Sequence, residues 1–389
     1  MAVLVLAGLW WLSLPARPDR FYDPPAGDLG PPGSLLRAAP FTRDVPAGAR
    51  GWRILYATRR SDGAPAVASA IVLVPLASSS QPRSVIAWTH GTTGVEAGCA
   101  PSLLEHPFAN VPPLSAVIGR GWAVVATDYL GLGTHGVGLQ PVHPYLVGVD
   151  EARSALDAVR AARHLEGSDL SGQVVVWGHS QGGHAALWTG ILAASYAPDI
   201  AIAGVAALAP ASDLPRLAQR TQSTLAGRIT TSYLVTAYSA DFSDVQFDAA
   251  VRGTARPLAR DIARRCLEGV RALPSVAEAL MLGGSIFRED PGTGALGERL
   301  RENIPAARID APLLVAQGLA DPLVLPDVQA AYIERRCSAG QSLVYLTYPG
   351  RDHLSLVSAD SPLIADLIGW SADRFQGLPA RDQCPVRGL

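Results

Sequence analysis

The stretch Val174-Val175-Val176-Trp177-Gly178-His179-Ser180-Gln181-Gly182-Gly183 constrains this chain more than any other. Its four apolar residues read as a buried strand, and Ala185-Ala186-Leu187-Trp188 just beyond read as a helix buried on one face. Between them lies Gly178-His179-Ser180-Gln181-Gly182, a G-x-S-x-G nucleophile elbow. Glycine is needed two residues either side of the serine because a Cβ would clash in so tight a strand-to-helix turn. The serine is then held in a strained conformation with its Oγ above the sheet. In a chain with 38 glycines the five-residue pattern alone says little, and the strand before it and helix after it give it weight. The competing reading is a plain tight turn whose serine caps the helix.

A serine hydroxyl becomes a nucleophile only when a base takes its proton, and a carboxylate must orient that base. In this arrangement the order along the chain is Ser, then Asp or Glu, then His. Of eight histidines only His184 and His353 lie downstream of Ser180. His184 sits one turn along the elbow helix and reads as a packing residue. His353, in Gly350-Arg351-Asp352-His353-Leu354 just past the final predicted strand, is the expected base. Asp321 leaves the end of the preceding strand and is the expected orienting acid. Asp310 stands at the wrong end of that strand, Asp327 reads as a helix start, and Asp352 is too near His353 in sequence to face its Nδ1. Fixed donors for the developing oxyanion are expected from the backbone N–H of Gln181 and of Thr92, where Gly91 lets the His90-Gly91-Thr92-Thr93-Gly94 loop approach closely.

Runs at 52–58, 67–74, 84–88, 122–127, 173–177, 203–209, 312–317 and 342–348 read as strands. Apolar residues at Val149, Ala152, Ala155, Leu156, Val159 and Ala162 predict a crossover helix over 149–164. Continuous apolar strands alternating with helices mean a mostly parallel sheet covered on both faces, here with eight strands. Residues 51–212 and 305–389 form this core. The alternation fails over 213–304, about ninety residues that read as an inserted helical cap. Residues 17–50, rich in proline and glycine, read as an irregular arm.

The net charge of −2 offers no footprint for nucleic acid. All 32 basic residues are arginine, which removes every lysine mechanism. Residues 2–16 are almost wholly apolar, short for a membrane span, and suit a signal peptide, although no basic residue precedes the run and Leu14 is large for a cleavage site at Ala16. The expected location is secreted or periplasmic, with a retained N-terminal anchor facing outward as the alternative. Cys99, Cys266, Cys337 and Cys384 lack metal-ligand spacing, and an even count in an exported chain favours two disulfides with three pairings open. Gly131-Leu132-Gly133-Thr134-His135-Gly136 fits a dinucleotide pattern, but Gly138, Pro141 and Pro144 delay any helix to about Val149, so no cofactor is expected. His135 and His143 read as loop or packing residues.

With these pieces in order, the chain resembles the secretory lipase family, the lipase-A type of α/β-hydrolase. The matching residues are Phe21-Tyr22-Asp23-Pro24-Pro25, Cys99-Ala100-Pro101-Ser102, Asp128-Tyr129-Leu130-Gly131, the elbow, and Ser195-Tyr196-Ala197-Pro198, with the later aspartate and histidine loops. The resemblance implies a triad of Ser180, Asp321 and His353, a lid built from the insertion, and disulfides Cys99–Cys266 and Cys337–Cys384. The first would stabilise by about 4–5 kcal/mol in the chain-entropy model. Where some relatives carry an acidic side chain near the oxyanion loop, this chain has Thr92-Thr93, so only the backbone part of that site carries over. The expected function is exported hydrolysis of carboxylic esters through an acyl-enzyme, as a triacylglycerol lipase or esterase, without metal or cofactor. The expected partner is an ester or lipid substrate, with no nucleic acid, no stable protein partner, and a transient lipid-interface contact through the cap. The rivals are a short-chain or aryl esterase, a peptidase on the same fold, or an inactive hydrolase-like binding protein.

Overall fold

The computed structural model describes residues 13–134 and 142–384. Most of the expected export segment, and His135, lie outside the described residues. Nine strands among them form one sheet: β1 (Leu35–Phe41), β2 (Ala49–Arg59), β3 (Pro65–Pro75), β4 (Arg83–Thr89), β5 (Ala123–Thr127), β6 (Leu170–His179), β7 (Ala201–Leu208), β8 (Leu313–Gly318) and β9 (Val344–Tyr348). Their order is β1-β2-β3-β5-β4-β6-β7-β8-β9. Pairing is antiparallel from β1 to β5 and parallel from β5 across to β9.

The ninth strand is β1, inside the segment read as an irregular arm. Its Leu-Leu-Arg-Ala-Ala-Pro-Phe sequence has no alternation and carries Pro40. A sheet edge tolerates both, because one face is solvated and a missing N–H on the outer side costs no ladder bond. Its inner neighbour β2 supplies the register, from Leu35 opposite Tyr56 to Phe41 opposite Gly51.

The central strands are apolar throughout because both faces are covered. One face sets Val85, Ala87, Val125, Val174 and Val176 against Leu156 and Val159 of one helix and Ala186 and Leu187 of another. The other sets Ile86, Trp88, Val124, Val175 and Trp177 against Val117, Leu363 and Leu367. The helices are α1 (Leu114–Gly119), α2 (Gly148–Arg163) and α3 (Gln181–Tyr196) in the first half of the core, then α4 (Leu214–Thr221), α5 (Leu225–Asp241), α6 (Phe247–Ala250), α7 (Arg256–Ala263), α8 (Leu273–Met281) and α9 (Gly294–Glu302) between β7 and β8, and finally α10 (Pro326–Ser338) and α11 (Pro362–Phe375). The six helices α4 to α9 pack around a further hydrophobic cluster, with Tyr233, Val235, Tyr238, Ile262 and Leu300 from the insertion and Val95, Tyr145 and Val147 from the core side.

Two disulfides fasten the layers, Cys99–Cys266 from the loop after β4 to the helical insertion, and Cys337–Cys384 from α10 to the C-terminal segment. The described end of the N-terminal segment also packs on this region. Ser13 is buried and accepts a hydrogen bond from Arg265 Nη1 at 2.6 Å, and a Cβ on Gly98 would lie 2.0 Å from Ala16 O.

Core and insertion also meet at a cluster of carboxyls. Arg60 pairs with Asp241 at the end of α5, and Ser61 N donates to Asp150 Oδ1 at 2.6 Å. Burial first, and Asp241 second, push the Asp150 carboxyl up to about 7 from its ordinary 3.8. The folded chain therefore holds that proton more tightly than the unfolded chain. This group's contribution to stability is full below about pH 4 and declines as pH rises to about 7, by a few kcal/mol at most. Asp150→Asn, which mimics the protonated acid, is expected to flatten the fall in thermal midpoint between pH 4 and 8. An unchanged slope in the variant would contradict the assignment.

Candidate active site

The elbow forms because β6 ends against β4 and α3 begins at once. A Cβ on Gly178 would lie 2.0 Å from Gly182 O, and one on Gly182 would lie 1.9 Å from Thr89 O, so neither position admits a side chain. Ser180 between them has φ 61° and ψ −119° and makes no side-chain capping bond to α3. It is not a helix cap. Its backbone is held from three sides, by Ser180 N to Leu208 O at 2.9 Å and by His184 N and Ala211 N donating to Ser180 O at 3.1 and 3.2 Å.

Asp321 and His353 come from the loops after β8 and β9, which pack backbone on backbone. A Cβ on Gly318 would lie 2.4 Å from Arg351 O, and Ala320 N donates to that same oxygen at 2.9 Å. His353 Nδ1 stands 2.7 Å from Asp321 Oδ2, with the Asp321 side chain fully buried. Asp321 Oδ1 accepts from Leu323 N and Val324 N at 2.8 and 2.9 Å, which fixes the carboxylate's direction. Asp310 and Asp327 pair with Arg308 and Arg220 at the surface, and Asp352 bonds within its own turn to Ser355.

The His353 loop is tied to the residue before the serine. His179, immediately before Ser180, donates from Nε2 to His353 O at 2.9 Å, and the two rings are 4.6 Å apart. Burial first, and His353 second, push the His179 pKa well down, so the ring stays neutral and keeps that bond. Among the described residues Ser180 Oγ has no hydrogen bond. In unliganded sites this link is commonly open and closes with substrate.

Gln181 is the first residue of α3, so its N–H is one of the unpaired donors of a helix N-terminus. Gly91 brings the other loop close: a Cβ there would lie 3.3 Å from His179 O and 3.7 Å from Ser180 Cβ. Thr92, next along, bonds through Oγ1 to Tyr145 OH at 2.8 Å. A pocket opens at Ser180, Gln181 and Thr92 and runs between α4 and α5, lined by Leu214, Leu217, Thr221, Thr230, Thr231 and Leu234, with Tyr145 and Leu146 on the core side. Thr221 Oγ1 and Thr231 Oγ1 bond back to Leu217 O and Gly227 O at 2.7 and 2.6 Å, which removes both hydroxyls from the pocket's polar surface.

His143 and His184 are both buried and neither faces the pocket. The structure bonds them to residues around Glu151, a fully buried acid of α2. Glu151 has no counterpart among the sequence-based expectations. Its trace is an acid four residues before Ala155, on the apolar stripe of the crossover helix. Of the glycine pattern at 131–136 the last two residues lie outside the described residues; among the described residues the next helix begins at Gly148, and a Cβ on Gly131 would lie 2.7 Å from His143 Cα. Among the described residues no group of three or more His, Cys, Asp or Glu side chains gathers as a metal would require.

The profile of the family described as secretory lipase matches residues 109–383. Lipase 5 of Candida albicans is 23% identical over 98% of this chain and 85% of its own length, and Lipase 6 of the same yeast is 27% identical over 50% of this chain and 44% of its own. The X-ray structure of Candida antarctica lipase A superposes with a TM-score of 0.76 at 18% identity, covering 94% of this chain and 87% of that one. That likeness establishes a common α/β-hydrolase fold.

Gly182→Ala is expected to destabilise the protein by about 3 kcal/mol or more, because the new Cβ meets backbone that cannot yield. Urea unfolding measures this, and a loss below about 1 kcal/mol would mean that the elbow is not so tightly seated.

Proposed function

This chain belongs to the secretory lipase family and is a carboxylic-ester hydrolase, and from that premise we propose that Ser180, His353 and Asp321 carry the reaction. Ser180 Oγ attacks the ester carbonyl while His353 Nε2 takes its proton. Asp321 holds the imidazole with Nδ1–H directed at Oδ2 and stabilises the imidazolium. The backbone N–H groups of Gln181 and Thr92 receive the oxyanion. Collapse expels the alcohol with the proton returned from His353, and water then releases the acyl group by the same steps in reverse. The observation that carries the reading is the 2.7 Å bond between His353 Nδ1 and the buried Asp321, in a loop tied to the residue before a strained serine.

The substrate class follows from the pocket. Its lining between α4 and α5 is apolar, so the acyl chain would lie there and the alcohol would face outward. This favours a lipid ester over a peptide. The cap offers the lipid contact: Val270, Leu273, Leu280 and Met281, on α8 and just before it, are 78, 57, 62 and 66% exposed. Export agrees with the family and with all four cysteines being paired, and the finer location we propose is secreted or periplasmic. Among the described residues no helix is long and apolar enough to cross a membrane.

Ser180→Ala is expected to abolish ester turnover and fluorophosphonate labelling in a protein that melts like the parent, and Asp321→Asn to lower kcat by about 10⁴-fold. Ordinary turnover in purified Ser180→Ala would remove the mechanism, and failure of the parent to label would favour an inactive binding protein. A rate series over acyl length, run beside a peptide amide, tests the pocket. Thr231→Leu should lower kcat/KM for the longest acyl chains accepted by about tenfold while leaving acetate esters within about twofold. An equal effect at every length would show that the acyl chain lies elsewhere.

A further inference from the structure

Glu151 has zero exposure, and its two oxygens receive three donors from two segments, the elbow helix and the loop before α2. Oε1 accepts Leu146 N at 3.0 Å and Gln181 Nε2 at 2.7 Å, and Oε2 accepts His184 Nδ1 at 3.0 Å. Two of these donors belong to the first turn of the elbow helix. The third belongs to a residue of the pocket wall.

Gln181 Nε2 makes a second bond, to His143 Nε2 at 2.8 Å. That nitrogen must be bare, and it is: His143 Nδ1 is engaged with Leu130 O at 2.8 Å, and burial pushes the ring's pKa down to about 3. The amide is thus clamped by both of its hydrogens. Its Oε1, although buried, has no partner among the described residues. A side chain selected for stability alone would not strand that acceptor, whereas one selected to fix the direction of its own backbone need satisfy only the clamp.

Leu146 is the other half of the arrangement. It is a non-glycine residue at φ 60°, held there by Glu151 at its N–H and by Tyr238 OH donating to its carbonyl at 3.0 Å. Tyr145, directly before it, bonds Thr92 through its hydroxyl at 2.8 Å. The residues whose N–H groups face the oxyanion in our reading, Gln181 and Thr92, therefore both lead back to one carboxylate. Gln181 reaches it directly, and Thr92 reaches it through Tyr145 and Leu146.

We propose that Glu151 is a positioning residue that holds both walls of the oxyanion site in register. A buried carboxylate is a poor source of net stability, since an apolar replacement often does as well. Two donors from the rigid elbow helix and one from Leu146, all meeting one carboxylate of α2, make it a good jig. The inference rests on the assignment of Ser180, Gln181 and Thr92 given above.

The test uses the full chain with Gln181→Met, which keeps the backbone N–H and leaves Glu151 bonded to Leu146 and His184, and with Glu151→Gln. Both should lower kcat by about 10- to 100-fold, less than outright loss of a donor, with KM for a short ester within about twofold. The affinity for a trifluoromethyl ketone of the same acyl chain, which forms an oxyanion on Ser180, should fall by the same factor as kcat/KM. Thermal midpoints are measured in parallel, and if Glu151→Gln does not fold, Gln181→Met decides. A folded Gln181→Met with parental kcat, or with a loss confined to KM and an unchanged ketone affinity, overturns the proposal. Ser180→Ala beside it separates the two levels: turnover retained there removes the underlying mechanism, whereas a dead Ser180→Ala with a parental Gln181→Met removes only the positioning role.

Discussion

The first turn of α3 rests on the end of β4 with no side chain between them. Thr89 ends β4, and its carbonyl oxygen lies 1.9 Å from where a Cβ on Gly182 would stand. Its Oγ1 is shared between Trp177 O at 3.0 Å and Gly182 O at 2.8 Å, one carbonyl on each side of the turn. The height of Ser180 over the sheet is therefore set by hard backbone contact and not by adjustable packing. A conformation such as φ 61°, ψ −119° costs roughly 1–3 kcal/mol and survives only where its surroundings over-determine it. Three backbone hydrogen bonds and two forbidden Cβ positions do so here.

The same contact decides where the pocket can be. Gly183 approaches Pro210 Cα, where a Cβ would lie 2.8 Å away, and Ala211 N bonds Ser180 O. The chain leaving β7 is thus pressed against the elbow before the helical insertion starts, and Ala211 and Leu214 line the pocket as a consequence. On the other flank the disulfide Cys99–Cys266 and the bond from Leu267 N to Thr93 O at 2.7 Å bring the insertion back to the loop after β4. The pocket roof and the loop after β4 are two ends of one tether.

What could be read from the residues follows from how local each cause is. The elbow was legible because its chemistry lies within five residues and its strand and helix adjoin it. The central strands were legible for a similar reason, since continuous apolar runs such as Val174-Val175-Val176-Trp177 have few other uses. β1 was not, because its run Leu35–Phe41 has no alternation and carries Pro40, whereas β9 at the opposite edge keeps the apolar run Val344-Tyr345-Leu346. His143, His184 and Glu151 illustrate the harder case. Each of the two histidines reads as packing, and both are packed, but the side-chain bonds that join them to Gln181 and Glu151 span 30 or more residues. No spacing rule reaches across α2, the loop before it and α3 to find a shared carboxylate.

The helical insertion is also not uniform in how it is held. Tyr233 and Tyr238 on α5 are fully buried, and their hydroxyls bond Arg265 O at 3.1 Å and Leu146 O at 3.0 Å. The Arg265 carbonyl lies within the insertion, but moving α5 off the core would strand the Tyr238 hydroxyl and the Leu146 carbonyl, each at the cost of an unpaired buried polar group, about 1–3 kcal/mol apiece. By contrast α8 leaves Leu273, Leu280 and Met281 in solvent. The wall that shapes the pocket is thus bonded to the core, and the exposed apolar side chains sit on another helix. Pocket shape and the exposed apolar surface are carried by different helices, and the pocket-shaping one bonds, through Tyr238, the same Leu146 that Glu151 holds.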